Sequence, residues 1–180
     1  MQKIPTLFER DWNGDRSRVT RSVHEGCEWV IAGEGAPTRK LDGTCCLIRD
    51  NKLFKRRELR AGEVPPVGFE PAGLDEETKN TVGWVPVGDG PEDRYHREAS
   101  LPILDGTYEL VGPKVQGNPE KWDTHQLVAH DSFGLRLTNV PRDYDGLAAW
   151  LAWHDYEGVV WHHPDGRMAK IKGRDFGIKR

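Results

Sequence analysis

The 180 residues carry 26 lysines and arginines against 29 acidic residues, a formal charge of −3, with seven tryptophans, 20 glycines and 12 prolines. That length suits a single domain, 1–180, able to bury a core without disulfide or metal staples, and the aromatic content excludes a disordered chain. The charge excludes binding of polyanions by the overall field, so any phosphate site must come from local clustering of positive side chains.

Met1 to Arg10 has no apolar stretch after a basic start, and no later run approaches the ~20 apolar residues that a membrane span needs. Cys27, Cys45 and Cys46 are an odd set, two of them adjacent in a strand-like run, and no disulfide framework follows. A cytoplasmic monomer is the simplest expectation. Glu28 to Ala32 reads as a strand, then Thr44 to Asp50 and Lys52 to Arg57 as a hairpin turning at Asp50-Asn51. Ala61 to Ser100, rich in Pro, Gly and Glu, reads as a surface excursion with little periodicity except Thr81 to Val87. Gly106 to Val111 and Gln126 to Ala129 read as further strands. Tyr144 to His154 reads as a helix, with Leu147, Trp150, Leu151 and Trp153 near helical spacing and Asp143 or Asp145 as cap. Gly158 to His162 and Met168 to Lys172 close the chain as a hairpin around Pro164-Asp165-Gly166.

The chemistry begins at Thr38-Arg39-Lys40-Leu41-Asp42-Gly43-Thr44, a lysine in a turn at the mouth of an apolar strand. A lysine amine attacks a phosphoryl centre only when unprotonated, and burial or neighbouring positive charge, here Arg39, favours that form. Alone, Lys-x-Asp-Gly is more often a surface turn. Four later segments change the weighing. Leu53-Phe54-Lys55-Arg56-Arg57-Glu58 delivers guanidinium groups able to fork onto phosphate or ribose oxygens. Glu109 interrupts an apolar, β-branched strand, where a carboxylate costs free energy without a partner. Glu157 opens the apolar run Gly158-Val159-Val160-Trp161 and suits a hydrated divalent metal, while Gly158 permits close approach of a ligand or backbone. Lys170 and Lys172 alternate onto one face of their strand, where both could neutralise phosphate charge. His162 and His163 diverge on a strand and suggest no metal site. Trp150, Trp153 and Trp161 are read as core rather than base-stacking residues.

In this order the segments resemble motifs I, Ia, III, IV and V of the covalent nucleotidyltransferases, the superfamily of DNA ligases, RNA ligases and mRNA capping enzymes. Arg39-Lys40-Leu41-Asp42-Gly43-Thr44-Cys45-Cys46 and Tyr108-Glu109-Leu110-Val111-Gly112-Pro113-Lys114 look most like the RNA ligase 1 family. The resemblance covers about residues 28 to 177. It implies an α+β adenylyltransferase domain, ATP-grasp-like, of two antiparallel sheets flanked by helices with ATP in the groove between them. It implies ATP and Mg²⁺ or Mn²⁺ as cofactors, and three steps: lysyl-AMP formation, AMP transfer to an RNA 5′-phosphate, and sealing to a 3′-hydroxyl, as in RNA repair.

Residue by residue, Lys40 matches the nucleophile, Arg56 the motif Ia arginine with Arg57 as alternative, and Glu109 the ribose-contacting glutamate. Glu157 matches the metal-associated glutamate, Lys170 and Lys172 the lysines around the α-phosphate, and the backbone at Thr38 and Arg39 would lie against the adenine. His125, His130 and Phe133 fall where relatives contact the base. This sequence stops at Arg180, directly after motif V, leaving no room in it for an OB domain or a sizeable C-terminal domain. Self-adenylylation is therefore expected to outlast efficient sealing, and DNA ligation and capping are weaker expectations. The other readings are an adenylyltransferase that modifies itself or another protein, and a non-catalytic nucleotide- or RNA-binding module.

Overall fold

The computed structural model describes residues 3–75, 78–99 and 104–180. In chain order it forms β1 (Phe8–Arg10), β2 (Val19–Val23), α1 (Glu28–Ile31) and β3 (Ala36–Lys40). Then come β4 (Thr44–Arg49), β5 (Lys52–Leu59), β6 (Glu70–Leu74), β7 (Thr81–Pro86), α2 (Arg94–Glu98), β8 (Gly106–Val111) and β9 (Gln126–Ala129). The chain closes with α3 (Tyr144–Trp153), β10 (Gly158–His162) and β11 (Met168–Lys172). Two compact units result: a split unit from Ile4–Leu41 and Phe133–Arg180, and a continuous unit made mainly of Asp42–Ser132. The boundary at Leu41 and Asp42 falls inside the Lys-Leu-Asp-Gly string.

The split unit holds the β1-β2 pair and a three-stranded antiparallel sheet in the order β11-β10-β3. Pro37 is accommodated because β3 is an edge strand of that sheet. Alternation along β10 and β11 turns Val159, Trp161, Ala169 and Ile171 into a core shared with Leu7, Phe8, Trp29, Val30, Leu147 and Leu151. Helix α3 starts where the Asp143 carboxylate accepts the Gly146 N–H at 2.9 Å, a cap typically worth about 1 kcal/mol. Its buried residues are Leu147 and Leu151, whereas Trp153 is 90% exposed and is not a core residue. Glu28 to Ala32 is also corrected: it is a single helical turn, not a strand. The β propensity of Trp29, Val30 and Ile31 is overridden by burial of Trp29 and Val30 and by the Ala32 N–H donating to the Glu28 carbonyl.

The continuous unit is a six-stranded antiparallel sheet in the order β6-β7-β5-β4-β8-β9. Asp50 and Asn51, with φ of 52° and 58°, make the tight β4-β5 turn that their side chains tolerate. Cys46, Ile48, Leu53, Tyr108, Leu110 and Val115 form its core. The stretch read as a surface excursion, whose last residue Ser100 lies outside the described residues, instead adds β6, β7 and α2. Its outer strand leaves no mark in the sequence because β6 is an edge strand whose register shifts between Pro71 and Gly73, so no alternation survives.

The class is therefore mixed α+β with mostly antiparallel strands and few short helices, and the described residues form three sheets rather than two. Among the described residues no helix is long and apolar enough to cross a membrane.

Candidate functional site

Register fixes the lysines. Across the sheet of the split unit Lys40 lies opposite Gly158, and Gly158 opposite Lys172; the neighbouring row on the same face is Thr38, Val160 and Lys170. A β-carbon at Gly158 would run into the Ile171 carbonyl, so this glycine serves close approach of two strands. Lys40 is the last residue of a paired strand, a firmer placement than the turn expected from its sequence.

Glu157, immediately before β10, reaches both ammonium groups of the first row. Lys172 Nζ donates to Glu157 Oε1 at 2.5 Å, and Lys40 Nζ donates to Glu157 Oε2 and, at 3.2 Å, to the Leu41 carbonyl. The three side chains are 12–20% exposed. Burial pushes the Glu157 carboxyl up, but the charges of Lys40 and Lys172 outweigh it and hold it below the ordinary value. Burial pushes the Lys172 ammonium down, and the charge of Lys40 adds to that. The face can thus offer clustered positive charge to a polyphosphate, with one carboxylate among it.

Thr38 is buried, and its hydroxyl lies 2.9 Å from His162 Nε2. Arg39, expected beside Lys40, alternates to the opposite face, where its guanidinium lies 4.4 Å from the centre of the Tyr156 ring. The positive neighbour that shares Lys40's carboxylate is Lys172. Tyr156 carried no signal in the sequence beyond preceding Glu157. His162 and His163 do diverge: His163 lies 2.7 Å from Glu34 and 2.8 Å from Asp165.

Of the remaining residues of the resemblance, Arg56, Glu109, His125 and His130 lie in the continuous unit and Phe133 in the split unit. Cys45 is the register partner of Glu109, and Glu109 of Val128. Glu109, only 7% exposed, meets His130 Nε2 at 2.8 Å. His130 Nδ1 is buried without a hydrogen-bond partner among the described residues, which assigns the ring proton to Nε2, donating to Glu109. A β-carbon at Gly43 would strike the Leu110 carbonyl and crowd the Glu109 side chain. Continuing the β4-β5 register places Arg56 on the Cys45 and Glu109 face, whereas Arg57 alternates onto the other and pairs with Glu63 at 2.6 Å. His125 stacks on Tyr95 at 4.8 Å and lies 2.9 Å from Glu98, and Phe133 is 80% exposed. His130 was legible only as one of three candidates, because its bond to Glu109 depends on the β8-β9 register.

Mg²⁺ fits this constellation at one point. Glu157 supplies the single carboxylate such an ion accepts beside its waters, and both of its oxygens are shared with ammonium groups that could turn to phosphate instead.

The RNA ligase 1 family profile matches residues 98–180, the span that contains Glu109, Glu157, Lys170 and Lys172. The RNA ligase 1 of Danio rerio is 34% identical over 266 aligned positions, covering 99% of this chain and 81% of that protein. Since 266 positions exceed the 180 residues present here, the relative carries additional residues between matched segments. The RNA ligase 1 of Pongo abelii is 24% identical over 79% of this chain and 67% of its own, and that of Rattus norvegicus 32% identical over 42% and 26%. Coverage of nearly the whole chain at this identity, together with the profile match, shows that the chain belongs to the RNA ligase 1 family.

Proposed function

We propose that the protein is an ATP-dependent RNA ligase in which Lys40 carries AMP. The observation that supports this most is the row of Lys40, Glu157 and Lys172, with Lys170 on the same face. In the first step the Lys40 amine forms a nitrogen–phosphorus bond to the α-phosphorus as the bond to pyrophosphate breaks. The ammonium first sheds its proton to solvent, and the Glu157 carboxylate, kept ionised by the two lysines, holds the nitrogen in place. Lys172 and Lys170 offset the negative charge that grows on the phosphoryl oxygens. A Mg²⁺ or Mn²⁺ ion held through Glu157 would add further positive charge at the phosphates.

Arg56 and Glu109 take the phosphate and ribose roles that the resemblance gives them, Arg56 rather than Arg57 because it shares a sheet face with Glu109. The adenylyl group then passes to an RNA 5′-phosphate, and a 3′-hydroxyl displaces AMP to seal the strand. Incubation with ATP and RNA bearing a 5′-phosphate and a 3′-hydroxyl tests the whole sequence. Joined RNA is expected; persistent adenylylated protein with no joined product, across nicked and open ends, would contradict the ligase reading and favour an adenylyltransferase.

A further inference from the structure

We propose that Cys45, Glu109 and His130 form a binding site for a soft divalent metal of the Zn²⁺ type. The three residues come from β4, β8 and the position just after β9. Cys45 stands opposite Glu109, Glu109 opposite Val128, and His130 two residues further along, so alternation delivers all three side chains to one face of the sheet. One ligand atom from each, sulfur, oxygen and nitrogen, lies within 4.8 Å of the others. Tetrahedral Zn²⁺ with bonds of about 2.0–2.3 Å holds its donors roughly 3–4 Å apart, so the set closes by small side-chain rotations.

The donor chemistry selects the ion. One thiolate, one imidazole and one carboxylate is a mixed S, N, O set that suits Zn²⁺ or Co²⁺ and is poor for Mg²⁺, which takes oxygen ligands. Glu109 is buried, so water competes weakly for its carboxylate. On binding, the Cys45 thiol releases its proton to solvent, the His130 ring proton moves from Nε2 to the otherwise unengaged Nδ1, and the ion replaces the hydrogen bond between Nε2 and Glu109. A water completes four-coordination.

Binding itself is independent of the ligase reading. Its consequence rests on that reading: Glu109 cannot serve both the ion and a ribose, so Zn²⁺ and ATP exclude one another.

Titration of the whole chain, free of ATP, with Co²⁺ tests the site directly. One equivalent should bind with the visible bands of tetrahedral Co²⁺ and a sulfur-to-metal charge-transfer band, and Zn²⁺ should displace it. Cys45→Ser should abolish the charge-transfer band, and His130→Ala should weaken binding at least tenfold, each with unchanged circular dichroism, while Cys27→Ser should leave the spectrum intact. Absence of the charge-transfer band, or its persistence in folded Cys45→Ser, would overturn the site and leave Glu109 and His130 a hydrogen-bonded pair. In the adenylylation assay, Zn²⁺ inhibition should be relieved by raising ATP and lost in Cys45→Ser; inhibition unaltered by that substitution would overturn the exclusion. If no lysyl-AMP forms at all, the ligase reading fails while the Co²⁺ spectrum still decides the site.

Discussion

Lys172 Nζ lies 2.5 Å from one oxygen of Glu157, whose other oxygen holds Lys40. One carboxylate therefore keeps two ammonium groups together, at the register position where Gly158 lets the strands draw close. Glu157→Gln keeps the shape and removes the charge. It should slow formation of lysyl-AMP at least tenfold, about 1.4 kcal/mol of barrier, in single-turnover measurements with ATP. An unchanged rate would leave Glu157 only a structural counter-ion.

The same contact gives a pH signature. Because Glu157 is held below the ordinary carboxyl value of 4.5, the folded protein binds fewer protons there than the unfolded chain. Its stabilisation is present above 4.5 and is lost as pH falls through the folded value. Melting temperatures followed downward from pH 5 should fall more steeply for the wild type than for Glu157→Gln. Parallel curves would contradict the charge balance described for this cluster.

Lys172→Ala should slow lysyl-AMP formation by roughly 10²–10³, the usual cost of one preorganised charge at a developing anion. Lys170→Ala, one row away, should cost less. Equal rates for both variants and wild type in rapid-quench experiments would remove the two lysines from the site.

Arg56 and Arg57 are adjacent in sequence and opposite in orientation. Arg56→Ala should lower adenylylation at least tenfold, whereas Arg57→Ala, losing an exposed pair with Glu63, should change stability by no more than about 0.5 kcal/mol and leave the rate alone. The reverse pattern would shift the assignment by one residue.

Gly158→Ala pushes a methyl group against the Ile171 carbonyl and should destabilise by about 1–3 kcal/mol, lowering the melting temperature by several degrees. An undiminished melting temperature would mean that the two strands are not held this close.

Much of this arrangement was legible because strands write their faces into the chain with period two. Lys170 and Lys172 share a face for that reason, and β4, β5, β8, β9, β10 and β11 begin where alternation or apolar runs begin. The missed parts depend on residues far away in sequence. Glu28 to Ile31 has strand-forming side chains yet coils, because its burial is decided by Leu147, Leu151 and Trp161. β6 has a proline, a glycine and a bulge, and it pairs only because β7 lies beside it. Arg39 looked like Lys40's electrostatic neighbour by adjacency, but β3 pairs with β10 and so sends the two side chains to opposite faces. Nothing local could reveal that Glu157 would bridge Lys40 and Lys172, since that contact spans 117 residues on one side and 15 on the other.

In the proposed reaction Lys40 becomes covalently joined to AMP. Intact-mass measurement after incubation with ATP and Mg²⁺ or Mn²⁺ should show the addition of one AMP, labile in acid as a phosphoramidate, absent from Lys40→Ala and formed poorly with GTP in place of ATP. An unchanged mass with both metals, or an adduct that survives Lys40→Ala, would exclude Lys40 as the carrier of AMP.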